Sequence, residues 1–234
     1  MRQIILDTET TGLDLKSGHR VIEIGCIEVI NRRITGKNFH TYLNPHRVVD
    51  KAAFEVHGLS DDFLSTQPSF GEIVSDFLDF VKNAELVIHN ASFDLSFLNS
   101  EMSNLNLLPN GLEEICDVLD TLKMARDLHP GQRNSLDALC KRYNVDSSKR
   151  ELHGALLDAE ILAEVFLAMT GGQNDLLLDD IVDEVIIDEK MSPVTRPKKS
   201  RLEVRNANAS ELEEHNKCLD IISDISESKT LWPK

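Results

Sequence analysis

The chain has 234 residues, 41% of them hydrophobic, and a formal net charge of −15 at pH 7. This is long enough for one sizeable globular domain plus extra segments, and Asp7 interrupts the apolar N-terminal run, so neither a membrane span nor a signal-peptide core is expected. The excess of acidic residues argues against a simple DNA-binding protein, because phosphate contacts need Lys and Arg. If the substrate is a nucleic acid, a partner has to supply much of the binding affinity.

Three strands are predicted at the start of the chain. Residues 3–7 form a short apolar segment that ends in an acid. Along residues 21–30, successive side chains are expected to alternate between the two faces of a strand. Residues 39–43 predict the third strand, and the intervening segment N-R-R-I-T-G-K-N has the composition of a turn. Together these strands predict an antiparallel meander.

Helical spacing follows. The segment S-F-G-E at Ser69–Glu72 is a capping box that opens a helix continuing to Val81. One further strand and three further helices are predicted, over residues 85–89, 94–105, 135–143 and 155–169. Strands that are first antiparallel and then alternate with helices indicate the α/β class, with a mixed sheet flanked by helices.

A boundary is predicted at Gly171 and Gly172, which end the last of these helices. The acidic and then basic, proline-containing stretch that follows is typical of a flexible linker. Ser210–Glu213 is a second capping box and predicts a short helix near the end of the chain. The predicted organisation is a globular domain, a linker and a C-terminal segment, over residues 1–170, 171–200 and 201–234.

The four cysteines have no C-x-x-C spacing, which argues against a disulfide framework or a zinc site and favours a reducing cytoplasm. We expect them to be buried apolar side chains. They are Cys26, Cys116, Cys140 and Cys218.

Two acids at the end of the first strand are the first candidates for chemistry. Asp7 and Glu9 are two positions apart, so in an extended chain they point to the same face and can reach one metal centre. The alternative is a solvated strand end. Thr10, Thr11 and Gly12 follow as a polar turn whose glycine allows backbone to approach a bound phosphate or sugar closely.

Three further candidates stand at predicted helix starts. Asp94 alone is explained by the helix dipole. His153 precedes a helix whose first turns carry Asp158 among apolar residues, where an acid is unfavourable unless it meets a cation or a salt bridge. We expect His89 and Asn90 to be hydrogen-bonding residues rather than ligands. The remaining histidines are expected on the surface or in loops: His19, His40, His46, His129 and His215.

Several carboxylates gathered at one point have one common use, which is to hold hard divalent cations. A neutral histidine beside them is a natural general base for water. Two metals and a base are sufficient to hydrolyse a phosphodiester.

The order D-x-E, D and H-x-x-x-x-D resembles the DEDD exonucleases of the histidine subtype, which have a ribonuclease-H-like fold. The resemblance covers residues 1 to about 170. Five segments resemble the family of epsilon proofreading subunits of bacterial DNA polymerase III: L-D-T-E-T-T-G, V-H-G-L, V-I-H-N-A-S-F-D, R-N-S-L-D-A-L-C and L-H-G-A-L-L-D-A-E-I-L-A-E-V.

This resemblance implies a 3′-to-5′ exonuclease that uses two divalent cations, Mg²⁺ or Mn²⁺, and His153 as the general base. The implied metal ligands are Asp7, Glu9 and Asp158, with Asp94 completing the shell of the second metal. The residues implied to contact the terminal nucleotide are Asp7, Glu9, Thr10, Thr11, His57 and Asp158. Mispaired ends would be preferred because they fray more easily into a single strand.

The C-terminal part of the chain carries two partner motifs by resemblance. Q-N-D-L-L-L resembles a clamp-binding box, with Gln173, Leu176 and Leu177 as its contacts; a linker with chance leucines is the alternative. Leu231 and Trp232, in L-W-P-K, resemble a polymerase-binding segment, and a frayed tail is the alternative. The implied partners are the catalytic alpha subunit, the sliding clamp and the small theta subunit of a cytoplasmic bacterial replisome.

Two other functions remain open from the residues alone. An exoribonuclease of the same fold that trims RNA 3′ ends would use the same catalytic residues. A structural bridge between polymerase and clamp would need no catalysis, although the complete set of five catalytic residues argues against bridging as the whole role. The C-terminal segment favours proofreading over RNA trimming.

Overall fold

Five strands form one mixed sheet in the computed structural model, which describes residues 1–148, 150, 152–171 and 207–226, without the side chains of 222–226. The strands are β1 (Arg2–Thr10), β2 (Val21–Ile30), β3 (Arg33–Tyr42), β4 (Glu85–Ile88) and β5 (Asp117–Asp120). Their order is β3-β2-β1-β4-β5. The pairs β1–β2 and β2–β3 are antiparallel, and β1–β4 and β4–β5 are parallel, so the predicted mixed sheet with its initial meander is confirmed.

The helices of the described residues are α1 (Lys51–His57), α2 (Asp61–Ser65), α3 (Phe70–Val81), α4 (Ala91–Asn104), α5 (Thr121–Leu128), α6 (Leu136–Tyr143), α7 (Ala155–Gly171) and α8 (Ala209–Ser226). Short 3-10 turns lie at Leu15–Ser17 and Leu112–Glu114. None of these helices is both long enough and apolar enough to cross a membrane.

The chain divides into two compact units, Met1–Leu178 and Asp179–Lys234. The second unit contributes α8, whose Leu212 and Ile221 are exposed. The clamp-binding and polymerase-binding residues predicted from the sequence lie outside the described residues: Gln173, Leu176, Leu177, Leu231 and Trp232.

Alternation along β1 divides the core into two layers. Ile4 and Leu6 join the cluster formed with α3 and α4, whereas Ile5 joins the cluster formed with α5, α6 and α7. Because side chains alternate along a strand, Asp7 and Glu9 continue the Ile5 face toward α7, and Thr8 continues the opposite face toward α4. The strand therefore delivers its two acids to the side on which α7 lies.

Most predicted elements are present, with different boundaries. The Ser69–Glu72 capping box opens α3 as predicted, and α7 ends at Gly171. The predicted start of β3 at residue 39 is wrong, because only Asn31 and Arg32 form the turn. Both have positive φ angles, 49° and 62°, as a tight two-residue hairpin turn requires.

Two sequence predictions about local structure are wrong. The cap of α8 is not the Ser210–Glu213 box, because Asn208 and Glu211 exchange reciprocal hydrogen bonds of 2.8 and 2.9 Å between side chain and backbone N–H, and the helix begins at Ala209. Cys218, expected to be buried, is exposed, whereas the other three cysteines are buried as predicted.

Gly25 allows α7 to lie directly on the sheet. It pairs with Asp7 across β1 and β2. A Cβ atom at this position would overlap the backbone of Ala155 and Leu156, at the first turn of α7. The absence of a side chain here therefore lets the start of α7, which carries Asp158, approach the strand that carries Asp7 and Glu9.

We predict that Gly25→Ala lowers the free energy of unfolding by about 2 kcal/mol, because the added methyl group meets backbone that cannot rotate away. Thermal unfolding followed by circular dichroism measures this as a fall in Tm of roughly 4 to 8 °C. Gly71→Ala is the matched control. Its Cβ would lie 3.5 Å from Leu105 Cδ2, an ordinary contact, and alanine favours the helix. Equal stability of the two variants would contradict the assigned role of Gly25.

Candidate active site

Acidic side chains from three elements meet at the carboxyl end of β1. Glu9 comes from β1 and Asp158 from the first turns of α7, and His153 lies in the loop just before that helix. One ligand atom from each of these three residues lies within 4.8 Å of the other two. Asp158 is buried, with 3% of its surface exposed, and the His153 side chain is 44% exposed. The sequence prediction that these residues converge is therefore supported for all three.

Asp94 reaches the same region from the first turn of α4. Asn90, the residue before this helix, has a left-handed backbone (φ 68°, ψ 52°), which turns the chain sharply out of β4. The Asp94 Oδ1 atom accepts two hydrogen bonds from Thr8, one from the backbone N at 3.1 Å and one from Oγ1 at 2.6 Å. These bonds fix the buried carboxylate against β1, so Asp94 is held in place by the strand that also carries Asp7 and Glu9.

The carboxylates are difficult to ionise together. Burial is the largest cause, and it raises the pKa of Asp7 well above its usual value and that of Glu9 to about 8. The charges of neighbouring acids add to both effects, with Asp94 contributing most for Asp7 and Asp158 most for Glu9. Burial also raises the pKa of Asp94 to about 7, against the opposing hydrogen bonds from Thr8.

This donor set fits a divalent cation. It offers carboxylate oxygens, which are the ligands that hard cations prefer, and its crowded negative charge is relieved by a positive ion. Glu9 and Asp158 are near enough to share one ion. Asp7 and Asp94 act on each other and on Glu9 electrostatically, so the four acids form one charged cluster.

An arginine that the sequence reasoning missed is bound to this cluster. Arg150 donates from Nε to Asp158 Oδ1 at 2.5 Å and from Nη2 to Asp158 Oδ2 at 2.7 Å. Nη2 also donates to His153 Nδ1 at 2.9 Å, and Nη1 donates to Asp137. No local pattern marks Arg150, and only its spacing of eight residues from Asp158 could have drawn attention to it.

A cavity of about 580 Å³ lies beside Glu9 and is also lined by Thr10, Gly12, Leu13, His57 and Phe93. His57 is buried, and its Nδ1 accepts a hydrogen bond of 3.0 Å from the Leu59 backbone N–H. The neutral ring therefore carries its proton on Nε2, which has no hydrogen-bond partner among the residues that the structure describes. Burial lowers the pKa of His57, which keeps the ring neutral. One of the residues that line the cavity thus carries a buried polar atom without a hydrogen-bond partner among the described residues.

Two of the histidines expected on the surface or in loops have acidic neighbours that the sequence did not reveal. His19 lies in a loop, as expected, but it is not exposed. His19 is buried, with its Nδ1 2.9 Å from Thr11 Oγ1 and its Nε2 3.3 Å from Asp50 Oδ2. Its ring packs so closely on Gly12 that a Cβ there would overlap it. His19 therefore fixes the polar turn that follows Glu9. His40 is exposed, as expected, and its Nε2 lies 2.8 Å from Oε1 of buried Glu23.

His153 is tethered to the wall of the cavity. Its backbone N donates to the carbonyl oxygen of Val56, in α1, at 3.1 Å. His57 is the last residue of the same helix. One backbone hydrogen bond therefore connects the loop of His153 to the helix that carries His57.

Residues 4–166 match the family model RNase_T, which is described as Exonuclease. The chain is also similar to curated proteins named DNA polymerase III subunit epsilon. That of Salmonella typhimurium is 50% identical over 237 residues, covering 99% of this chain and 97% of the relative. That of Haemophilus influenzae is 46% identical over 244 residues, covering 100% and 95%.

Two solved structures share the fold. Exonuclease X in complex with 5′ overhanging duplex DNA aligns with a TM-score of 0.58 and 25% identity, covering 72% of this chain and 91% of that chain. A zinc-bound complex of Escherichia coli ExoI with single-stranded DNA aligns with a TM-score of 0.63 over 74% of this chain and 41% of that chain. At 14% identity, the second similarity concerns the fold alone.

We predict that divalent cations stabilise the protein more at pH 8 than at pH 5.5. Acids with raised pKa values hold protons in the folded state that they lose when unfolded. Without cations, the free energy of unfolding therefore decreases as the pH rises from about 4.5 to the folded pKa of Glu9, about 8. Saturating Mn²⁺ should raise Tm at pH 8 by roughly 5 to 10 °C. The increase should be much smaller at pH 5.5, because protons then occupy the carboxylates.

Differential scanning calorimetry with and without Mn²⁺ measures both shifts. Glu9→Gln serves as the control, since it removes one carboxylate and should reduce the cation-dependent shift at pH 8. Equal shifts at the two pH values would show that cations bind elsewhere.

Proposed function

The chain belongs to the exonuclease family and, within it, to the bacterial DNA polymerase III epsilon subunits, and from this premise we propose that it removes mispaired 3′-terminal nucleotides from DNA during replication. The observation that carries the proposal is the convergence of Glu9, His153 and Asp158 beside a cavity with an unpartnered donor. Metal ligands, a base and a nucleotide-sized space are thus adjacent.

Hydrolysis requires cations that the acids are suited to hold. Asp7, Glu9 and Asp158 would bind two divalent ions, Mg²⁺ or Mn²⁺, with Asp94 completing the shell of the second. Such ions supply a water of lowered pKa and neutralise the charge that develops on the leaving 3′ oxygen. The His153 imidazole, exposed at the rim of the cluster, accepts the proton of the attacking water.

The cavity holds the terminal nucleotide. The Nε2–H group of His57 donates to an oxygen of this nucleotide, since no described residue competes for it. Thr10 and Gly12 bring polar backbone and side-chain groups to the same cavity. Because the cavity adjoins Glu9, the phosphodiester of a nucleotide bound in it would lie at the acidic cluster.

Preference for mismatches follows from access rather than from reading of the base pair. A mispaired terminus frays more easily, so its single strand enters the cavity more often. The chain itself needs only to bind a single-stranded 3′ end. Its net charge of −15 indicates that part of the affinity for DNA comes from partner subunits.

Digestion of a 5′-labelled primer tests the proposal. We expect a ladder that shortens from the 3′ end, faster for a mismatched than for a paired DNA terminus and faster than for RNA of the same sequence. His153→Ala should lower the rate by a factor of about 10² to 10⁴, because the general base is lost. Faster digestion of RNA would assign the protein to RNA trimming, and absence of cleavage would favour a bridging role.

Association with the replication machinery is the second part of the proposal. The relatives carry the name of a polymerase subunit, and the described helix α8 exposes Leu212 and Ile221, as a helix that docks on a partner does. We assign binding of the polymerase alpha subunit to Leu231 and Trp232 and binding of the sliding clamp to Gln173, Leu176 and Leu177. The small theta subunit is a further partner, and the exonuclease domain ends near residue 170.

Two double variants test these assignments and act as controls for each other. Leu176→Ala with Leu177→Ala should weaken clamp binding at least tenfold and leave polymerase binding unchanged, because the leucine pair fills an apolar pocket. Leu231→Ala with Trp232→Ala should have the opposite pattern. Surface plasmon resonance with each immobilised partner measures both affinities. A variant that weakens both interactions, or neither, would refute its assignment.

A further inference from the structure

We propose that Arg150 is a resident counter-cation that divalent cations must displace from Asp158, and that this displacement frees His153 to act as a base. The inference rests on the proposed function in one respect, which is that Asp158 is a metal ligand. It adds a positioning and gating role for a residue that is not among the acids and histidine of the site.

Arg150 is bound to Asp158 by the strongest type of side-chain contact. Its guanidinium forms a fork in which Nε and Nη2 each donate to a different oxygen of the carboxylate, at 2.5 and 2.7 Å. The Arg150 side chain is 10% exposed and that of Asp158 is 4% exposed. In such a dry environment the charges attract each other much more strongly than they would in water.

The guanidinium is bound to both oxygens of the carboxylate that a cation would need as a ligand. Nη2 contacts Asp158 Oδ2 at 2.7 Å and His153 Nδ1 at 2.9 Å, and these two atoms are themselves only 3.3 Å apart. A cation bound to the same carboxylate would lie against a positively charged group. Repulsion between like charges at this distance is large, so arginine and cation compete for Asp158.

The same contact blocks the base function of His153. A guanidinium only donates hydrogen bonds, so Nδ1 of His153 must be the acceptor. The neutral ring then carries its proton on Nε2. While Arg150 remains in place, neither nitrogen is available to accept a proton from water.

Asp137 gives Arg150 a second position. Nη1 of Arg150 donates to the Asp137 carboxylate, which is 63% exposed and lies in the first turn of α6. A guanidinium displaced from Asp158 keeps this ion pair and gains contact with water. The positive charge also acts from its present position to lower the pKa values of Asp7 and Glu9, as a counter-cation of the whole cluster does.

Titration of the full-length protein with Mn²⁺, followed by electron paramagnetic resonance of the free ion, tests the competition directly. Arg150→Gln should bind Mn²⁺ about tenfold more tightly than the unmodified protein, because no cation has to be displaced. Arg150→Lys retains the charge without the fork and should fall between the two. Unchanged or weaker binding in Arg150→Gln, with Tm showing that the variant is folded, would overturn the proposal.

A double-mutant cycle tests the role of Asp137. Asp137→Asn should weaken Mn²⁺ binding severalfold, since Arg150 then has only Asp158 as a partner. This effect should vanish in the Arg150→Gln background. An equal loss in both backgrounds would mean that Asp137 acts on the cation directly and would refute its role as a second position.

The effect on His153 is measured separately by ¹⁵N NMR of its ring with Mg²⁺. The ring signals should shift on addition of Mg²⁺ in the unmodified protein and much less in Arg150→Gln, where Nδ1 is already free. Similar shifts in both proteins would remove the gating role. Because none of these measurements needs DNA, failure of the primer digestion would count against the proposed function alone.

Discussion

The burial of several carboxylates beside one another is the constraint around which this structure is arranged. Burial and neighbouring charge raise the pKa values of Asp7, Glu9 and Asp94, so full ionisation of the cluster near neutral pH is unfavourable without positive charge. Three features favour the ionised acids. Thr8 donates a hydrogen bond to Asp94, and Asp94 and Asp158 each lie in the first turn of a helix. Arg150 supplies a positive charge at Asp158.

The sheet makes this arrangement possible because the position of a residue along β1 decides which layer its side chain faces. On β1, the same alternation that sends Ile4 and Leu6 to one core and Ile5 to the other sends Asp7 and Glu9 toward α7. Gly25 then removes the side chain that would keep α7 at a distance. Core packing and site geometry therefore depend on the same few positions in two neighbouring strands.

The sequence was informative where the signal is local and less so where it depends on contacts across the chain. The spacing of Asp7 and Glu9 predicted their common face, and the Ser69–Glu72 box predicted the start of α3. Strand β5 and helix α2 were missed because four or five residues show no clear periodicity. His19 and Arg150 were missed because their roles come from Asp50 and from Asp158, which no spacing rule connects to them.

The hydrogen bond from His153 to Val56 has a mechanical consequence. The cavity wall and the loop before α7 are separated by about a hundred positions along the chain, yet this bond connects them directly. Because the bond ties the backbone of His153 to α1, a displacement of α1 would be passed on to the loop that carries the imidazole through a single peptide group.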